Sequence, residues 1–524
     1  MSVARAAQWR QLEISLSGPV TANPYVDVEA SVRLVHSGGL TLVRPVFWAG
    51  ASTWCVRFAS PLDHGTWTWT LEAGPHAGDF TPVGGEVRAE PAPTDHVHSA
   101  LVHGFPRLAA GGRTLAHPDG TPCFLVIDTA WAMPWRAGLE DVAEYARDRA
   151  DKGFNAVLLM SVQPDMRAVG PEERGADEGF AVGFRDLPRG RLTELEPSYF
   201  AFLDAIVDVL VAHGITPVLQ PVFFGFGWKG LDVAGPVVPP EEYARYCRYL
   251  VARYGAGPVV YLPGADGSGY EPQVDAGGRA LEAWDAYGQP TGLHYRPHAR
   301  NDAHQDAPWL DFQACQTGHG GDHVPDRLAT MWARQPVRAI MNGEPSYEHT
   351  GRRGVAAGWW QGHEAWSNVC AGALLGVAYG AAGLWQWRLH RDEPGHAPFF
   401  LAQDAGWREA LRFEGSTYVG LVGRILEGLP LEHAAPCWDV GLTTRGLLDP
   451  GVLYLGYAEH GGPWTFLDGA GRVPSRYWLV DPRSGRVTGA GDTPADGTPI
   501  EHPYDEPCVL LCLESEPAIV GNRR

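Results

Sequence analysis

The sequence predicts an α/β protein: a (β/α)8 TIM barrel flanked by an N-terminal and a C-terminal β-sandwich. Three observations predict it. Between about residues 105 and 429, strand-like apolar runs alternate with helix-like segments, with eight strand-like runs in all. The stretches on either side alternate apolar and polar residues with a period of two, broken by Gly and Pro clusters. The length, 524 residues, exceeds what one hydrophobic core supports. The expected division is 1–100, 101–429 and 430–524.

In chain order, residues 11–95 read as all-β. Alternation is visible at 26–35, 54–58 and 66–71, and the Pro-rich 89–94 reads as a linker. The eight expected central strands are 124–127, 156–160, 217–222, 259–262, 293–296, 310–314, 338–341 and 383–387. Helices are expected at 139–152, 198–213, 240–254, 325–334 and 363–378, with another at 408–428 after the last strand. Pro297 closely follows the fifth strand. Beyond 430, strands are expected at 452–457, 476–480 and 507–513.

Composition narrows the function. Hydrophobic residues at 45% and charged residues at 19% fit a globular protein. A net charge of −20 repels phosphate backbones, so nucleic acid is not expected as a partner. No apolar run reaches the roughly 18 residues of a membrane span. Residues 1–10 lack a signal-peptide core, and eight cysteines lie scattered without a CxxC pair, so a cytoplasmic location is expected. Cys508 and Cys512, four apart in an expected strand, stand about 13 Å apart and cannot share a metal. The chain has 20 Trp, whose faces stack on sugar rings as readily as they fill cores.

Two of the apolar runs end in a carboxylate. Pro258-Val-Val-Tyr-Leu-Pro-Gly-Ala leads to Asp266, and Arg338-Ala-Ile-Met-Asn-Gly leads to Glu344. Singly, each acid has an ordinary reading: Asp266 as a turn or helix-cap residue, Glu344 as a solvated loop residue. Together they follow strands four and seven, whose ends face each other across a barrel mouth, where active sites form. Two acids on one rim are the minimum for cleaving a glycosidic bond: about 5–5.5 Å apart in retaining enzymes, wider in inverting ones. Other strand ends carry sugar-binding residue types. These are Asp128, Thr129 and Trp131 after strand one, and Gln220 with Phe223, Phe224 and Trp228 after strand three. Strand six ends in Gln316 and His319, and strand eight in Trp385, Trp387 and Arg388. Trp385 and Trp387, two apart, are expected to share one face.

Two other readings compete. Metal catalysis would draw on His294 with His298, or on His319 with Asp322 and His323. Spacing by four chelates on a helix, which Pro297 opposes, and the second set lies in a loop of no fixed period. No metal or other cofactor is therefore expected. The alternative from another class is a catalytically silent carbohydrate-binding protein, against which the presence of both acids weighs. The flanking sandwiches offer surfaces that shape the pocket or join copies in a homo-oligomer. The loop 165–197, rich in Gly, Arg and Glu, is long enough to act as a lid.

Four ordered motifs carry a family resemblance: Gly120-Thr-Pro-Cys-Phe-Leu-Val-Ile-Asp-Thr-Ala-Trp131, Lys152-Gly-Phe-Asn-Ala156, Trp309-Leu-Asp-Phe-Gln continuing to Gln316-Thr-Gly-His319, and Asn342-Gly-Glu-Pro345. They resemble the apiosidase-like catalytic domain, the group containing glycoside hydrolase family 140. Residues 11–95, with Asn23-Pro-Tyr-Val-Asp27 and Val56-Arg-Phe58, resemble the β-sandwich that often precedes such barrels. With the paired acids, the expected function is a retaining, exo-acting glycosidase; a cytoplasmic location favours a small glycoside or oligosaccharide, and the resemblance makes a furanose such as apiose or arabinose the nearest precedent. It implies Glu344 as nucleophile and Asp266 as acid/base. It also implies that Asp128 and Trp131 line the sugar subsite, with Gln316 and His319 nearby; Gln220 and Trp385 complete the expected binding set. Gly264-Ala265-Asp266 departs from the family's usual Gly-Gly-Asp by one methyl group.

Overall fold

A computed structural model describes residues 4–93, 96–167, 182–225, 232–319, 325–350, 357–392, 405–438, 445–466, 473–494 and 496–521. The chain is mixed α/β, with its sheets in three regions.

The first region holds two sheets. One has the order Ala4–Ala7, Gly84–Glu90, Thr66–Glu72, Ser31–His36, Thr41–Pro45; the other has the order Gln11–Ser17, Thr53–Ala59, Phe47–Gly50. Alternation selects the facing residues: Val32, Leu34, Trp67, Trp69 and Val87 of one sheet meet Leu16, Trp54, Val56 and Phe58 of the other. Strand Thr53–Ala59 is buried on both faces, because its second face lies against the central region. There Arg57 donates to Asp204 at 2.5 Å and to the Arg253 carbonyl, while Arg253 reaches both oxygens of the same Asp204. Asn23 donates to the Thr193 carbonyl, and Tyr25 packs on Phe184, so the Asn-Pro-Tyr motif meets the loop after the second central strand.

Among the described residues, eight parallel strands form the centre: Leu125–Thr129, Ala156–Met160, Thr216–Gln220, Val260–Tyr261, Gly292–His294, Phe312–Gln316, Ala339–Glu344 and Gly376–Tyr379. The eighth, first, second, third and fourth pair in that order, and the fifth, sixth and seventh form a second sheet. Isolated parallel bridges link the two sheets: Tyr261–Thr291 and Gly267–Tyr295 on one side, Glu348–Ala381 on the other. Helices alternate with the strands, among them Leu139–Lys152, Pro197–Ala212, Pro240–Tyr254, Pro325–Trp332, Trp359–Cys370 and Gly415–Leu426.

Four elements depart from the sequence reading, one being the expected helix 408–428, which is two helices, Trp407–Ala410 and Gly415–Leu426. The eighth strand is Gly376–Tyr379, not 383–387, and the helix before it stops at Cys370. Gly372, at φ +105°, breaks the apolar run that resembled one long helix. Gly376 lets strands eight and one meet closely, since a Cβ there would sit 2.3 Å from the Leu125 carbonyl. The segment 383–387 is a turn instead, so Trp385 and Trp387 do not share a strand face. Trp387 stacks on Trp407 (centroids 4.5 Å apart) and Trp385 packs against Trp131. A further helix, Pro272–Trp284, lies between strands four and five. Its Gly277 and Gly278 lower helix propensity, yet they admit the Tyr243 and Trp309 rings, which a Cβ would meet at 2.5 and 2.3 Å.

The C-terminal region was expected to be a second sandwich. Among the described residues it is one six-stranded antiparallel sheet, ordered Ala435–Pro436, Arg445–Asp449, Leu453–Ala458, Cys508–Leu513, Arg476–Asp481, Arg486–Asp492. A second sheet is unnecessary because the central region covers one face, burying Leu455, Trp478, Val509 and Leu511. Trp464, Phe466, Val473 and Ile500 cover the other face, over Tyr454, Leu479 and Leu510. All eight cysteines are free thiols. No helix among the described residues is long and apolar enough to cross a membrane.

Candidate active site

Register decides which strand-end residues face inward. Thr129, Leu158, Val218 and Val260 stand level on neighbouring strands, and Met160 pairs with Gln220 two residues further on, so Gln220 shares their face. In the second sheet His294, Ala314 and Met341 stand level, which places Gln316 and Glu344 on the same side as His294. The seventh strand shifts register there. Gly343 makes this possible: a Cβ would lie 2.9 Å from the Ala314 Cβ and 3.2 Å from His294 Cδ2. The Asn-Gly-Glu motif thus needs its glycine for close approach beside His294.

Asp266 follows the fourth strand in the left-handed region, at φ +56°, a conformation Asp adopts more readily than most residues. Its loop is held at both ends by bridges, Phe223–Ala265 and Gly267–Tyr295. Glu271 accepts from the backbone amides of Ser268 and Gly269. The methyl group of Ala265, the departure from Gly-Gly-Asp, is fully buried in the core.

These elements bring Asp266, His294 and Glu344 together. His294 Nδ1 lies 3.1 Å from Asp266 Oδ1, and its Nε2 lies 3.3 Å from Glu344 Oε2. Both contacts are ion-pair distances with angles away from ideal hydrogen bonds. His319 Nε2 lies 3.0 Å from the other Glu344 oxygen, and its Nδ1 lies 3.1 Å from both the Tyr347 amide nitrogen and the Pro345 carbonyl oxygen. One ligating atom from each of Asp266, His294 and Glu344 lies within 4.8 Å of the others.

The environment pushes the two acids apart. Burial and then the Glu344 charge raise the Asp266 pKa to about 7, against the pull of His294. Burial also works to raise Glu344, but His294 and His319 outweigh it and lower its pKa to about 2. Burial opposes the charged form of His294, yet the two carboxyls lift its pKa to about 9.

Trp131 meets the Phe223 and Trp385 rings at centroid distances of 5.5 and 6.0 Å and stands nearly perpendicular to the His294 ring at 6.2 Å. Both amide atoms of Gln220 and the Gln316 Oε1 are buried without a hydrogen-bond partner among the described residues. Asp128 faces the other way. It accepts from Tyr145 and Arg149 of helix Leu139–Lys152 at 2.9 and 2.6 Å, within the helix layer. Its neighbour Thr129 turns inward instead and donates to the Tyr379 carbonyl. Asp128 is therefore a buried structural ion pair and not a subsite residue: one step along a strand changes the face.

Of the metal candidates, His298 is exposed in a left-handed turn while His294 is buried, so they do not converge. Asp322, His323, Trp228 and residues 168–181 lie outside the described residues. Asp266, His294 and Glu344 are close enough to share an ion, but His294 offers opposite ring nitrogens to the two acids, the arrangement of an imidazolium between carboxyls. His294 was considered in the sequence only as a ligand, and Tyr347 and Glu364 not at all. Tyr347 stacks on His319 (4.2 Å), and Glu364 accepts from the Ser346 amide and the Thr317 hydroxyl behind it.

Residues 109–433, more than half of the chain, match the model of the apiosidase-like catalytic domain. The chain belongs to the apiosidase-like glycoside hydrolases. Residues 5–74 match a domain family of unknown function, DUF5060. Among solved structures, a glycoside hydrolase from Bacteroides vulgatus superposes with a TM-score of 0.73 at 17% identity, covering 98% of this chain and all of the other. A family 5 glycoside hydrolase from the same organism gives a TM-score of 0.65 at 20% identity, covering 80% of this chain and 96% of its own. Another glycoside hydrolase gives 0.66 at 18% identity, covering 81% and 100%. At such identities these neighbours speak for the fold. No curated protein matches the sequence. Membership makes the protein a glycosidase with a carbohydrate substrate.

Proposed function

We propose that this apiosidase-like enzyme is a retaining, exo-acting glycosidase that removes a terminal furanose, of the apiose or arabinose kind, from a small glycoside or oligosaccharide. The observation that carries the retaining assignment is the short gap between the acids: one carboxyl oxygen of Asp266 lies within 4.8 Å of one of Glu344, in keeping with the roughly 5–5.5 Å between the carboxyl groups of retaining enzymes. Inverting enzymes hold theirs about 6.5–9.5 Å apart to admit a water. The unequal acidities support the assignment of roles, since Glu344 stays ionised and Asp266 keeps a proton near neutrality. The exo reading rests on enclosure. Asp266, His294 and Glu344 are each at most 2% exposed, between walls of Trp131, Phe223 and Trp385, which suits one terminal sugar better than a chain lying across. The furanose rests on the family. The parallel strands with bridges at both junctions support a closed (β/α)8 barrel, and the paired sheets before it support an N-terminal sandwich.

In the first half-reaction a Glu344 oxygen attacks the anomeric carbon while Asp266 gives its proton to the leaving oxygen, and the glycosidic bond breaks. In the second, Asp266 takes a proton from water, whose oxygen displaces Glu344 and restores both acids. Gln220 and Gln316 supply buried amide atoms for sugar hydroxyls, and Trp131 and Trp385 supply apolar surface. The test is a panel of aryl glycosides, furanosides included, turned over by wild type, Glu344→Gln and Asp266→Asn, with the first-formed anomer read by NMR. Loss of turnover in both variants with a retained anomer is expected. An inverted anomer sinks the retaining assignment, and unchanged turnover in either variant removes that residue from the mechanism.

A further inference from the structure

During a retaining cycle the negative charge of the acid pair changes place. Before the first step it rests on Glu344, and Asp266 holds a proton. After that step Glu344 is a neutral ester and the charge rests on Asp266. Water then returns the charge to Glu344 as Asp266 recovers a proton. An imidazole can donate at both nitrogens only as imidazolium, and His294 alone among the described residues directs one nitrogen to each acid, at 3.1 and 3.3 Å. It is buried at the end of the fifth strand, fixed by its register against Ala314 and by the absence of a side chain at Gly343.

We propose that His294 is a positioning residue that stays protonated through the cycle and holds whichever of the two carboxylates is charged. It transfers no proton itself, so the atom balance of the two steps is unchanged. The inference rests on the reading of Asp266 and Glu344 as acid/base and nucleophile. The other titratable groups near the pair do not duplicate the bridge. His319, from the loop after the sixth strand, contacts Glu344 only. The Tyr347 hydroxyl lies in the field of both acids and remains neutral, its pKa raised well above normal first by burial and then by Glu344. Glu364 sits behind Thr317 and Ser346, and Trp131 presents only its ring.

The difference between His294 and His319 supplies the test. In a pH profile of kcat/KM the acidic limb reports Glu344 and the basic limb Asp266. His294→Gln keeps a polar side chain but removes the cation beside both groups. Both limbs should move up by about 1 unit or more, the effect of losing an opposite charge within ~4–6 Å. The maximum should fall about 10- to 100-fold, the scale of reacting groups displaced by about 1 Å. His319→Gln should move the acidic limb more than the basic one, because His319 touches Glu344 but reaches Asp266 only through its charge, after both His294 contributions. Limbs of His294→Gln coinciding with those of wild type would overturn the proposal, as would a shift in one limb only. If His294→Gln fails to fold, NMR titration of histidine-labelled wild type decides: an imidazolium persisting above neutrality supports the bridge, and a neutral ring at pH 7 refutes it. Retained turnover in Glu344→Gln would instead sink the underlying catalytic reading, an outcome that these limbs do not mimic.

Discussion

Replacing Asp266 by Asn should make the protein more stable and, at the same time, catalytically crippled. The folded Asp266 carboxyl is raised from 3.8 to about 7, first by burial and then by Glu344. The sign follows directly. The native state holds a proton that the unfolded chain gives up above pH 3.8, so stability falls as pH rises from 3.8 toward 7 and then levels off. The full shift, about 7 minus 3.8, is about 3 units, or about 4 kcal/mol at 1.36 kcal/mol each. At about pH 5 only about 1.2 units of it, 5 minus 3.8, have accrued, or about 1.6 kcal/mol. Asn carries no charge at either pH, so Asp266→Asn should gain about 2 kcal/mol more over wild type at about pH 8 than at about pH 5. Thermal or urea unfolding of both proteins at the two pH values measures this directly. A gain that is equal at both values, or a loss at the higher one, would show that Asp266 is not a proton-holding acid, and the acid/base assignment would lose its electrostatic basis. Stability gained by removing a functional group is the expected trade-off at a strained site.

Other expectations follow from the same contacts. Glu344→Gln should cost about 10³-fold or more in kcat on every substrate, whereas Asp266→Asn should retain a first-step burst with activated aryl leaving groups and stall at the glycosyl-enzyme; stopped-flow release of the aglycone separates the two. Gly343→Ala places a methyl 2.9 Å from the Ala314 Cβ and beside His294, so it should displace Glu344 and cut kcat about 100-fold, with about 1–3 kcal/mol of overpacking. Wild-type kinetics in that variant would show that the bulge does not position the nucleophile. Asp204→Ala takes the carboxylate from Arg253, whose side chain is only 4% exposed, and one of two from Arg57, which keeps Glu13, and should cost about 3–5 kcal/mol. Calorimetry should show the loss, and limited proteolysis should release the N-terminal sheets first.

Much of this protein is determined locally and is legible in its sequence. Period-two alternation sets the N-terminal strands that have one face on a core, and the burial of Thr66–Glu72 follows that alternation residue by residue. Apolar runs ending in Gly-Ala-Asp and Asn-Gly-Glu mark strands four and seven, since a buried strand, a small residue and an acid must appear in that order for the acid to emerge at the rim. Trp131 and His319 reach the site by the same logic.

Other features depend on contacts that no local pattern encodes. Asp128 and Thr129 are adjacent and both polar, and only the pairing register sends one to Arg149 and the other inward. The eighth strand is apolar and rich in Gly and Ala, and it becomes a strand because Leu125 and Tyr347 press against glycines at 376 and 380. Helix Pro272–Trp284 forms despite two central glycines because the Tyr243 and Trp309 rings occupy the space they leave. The role of His294 belongs wholly to the tertiary structure. A histidine at a strand end is chemically ambiguous until the chain places one carboxyl at each of its nitrogens, and the two acids that do so come from segments 78 residues apart in the sequence, Asp266 and Glu344.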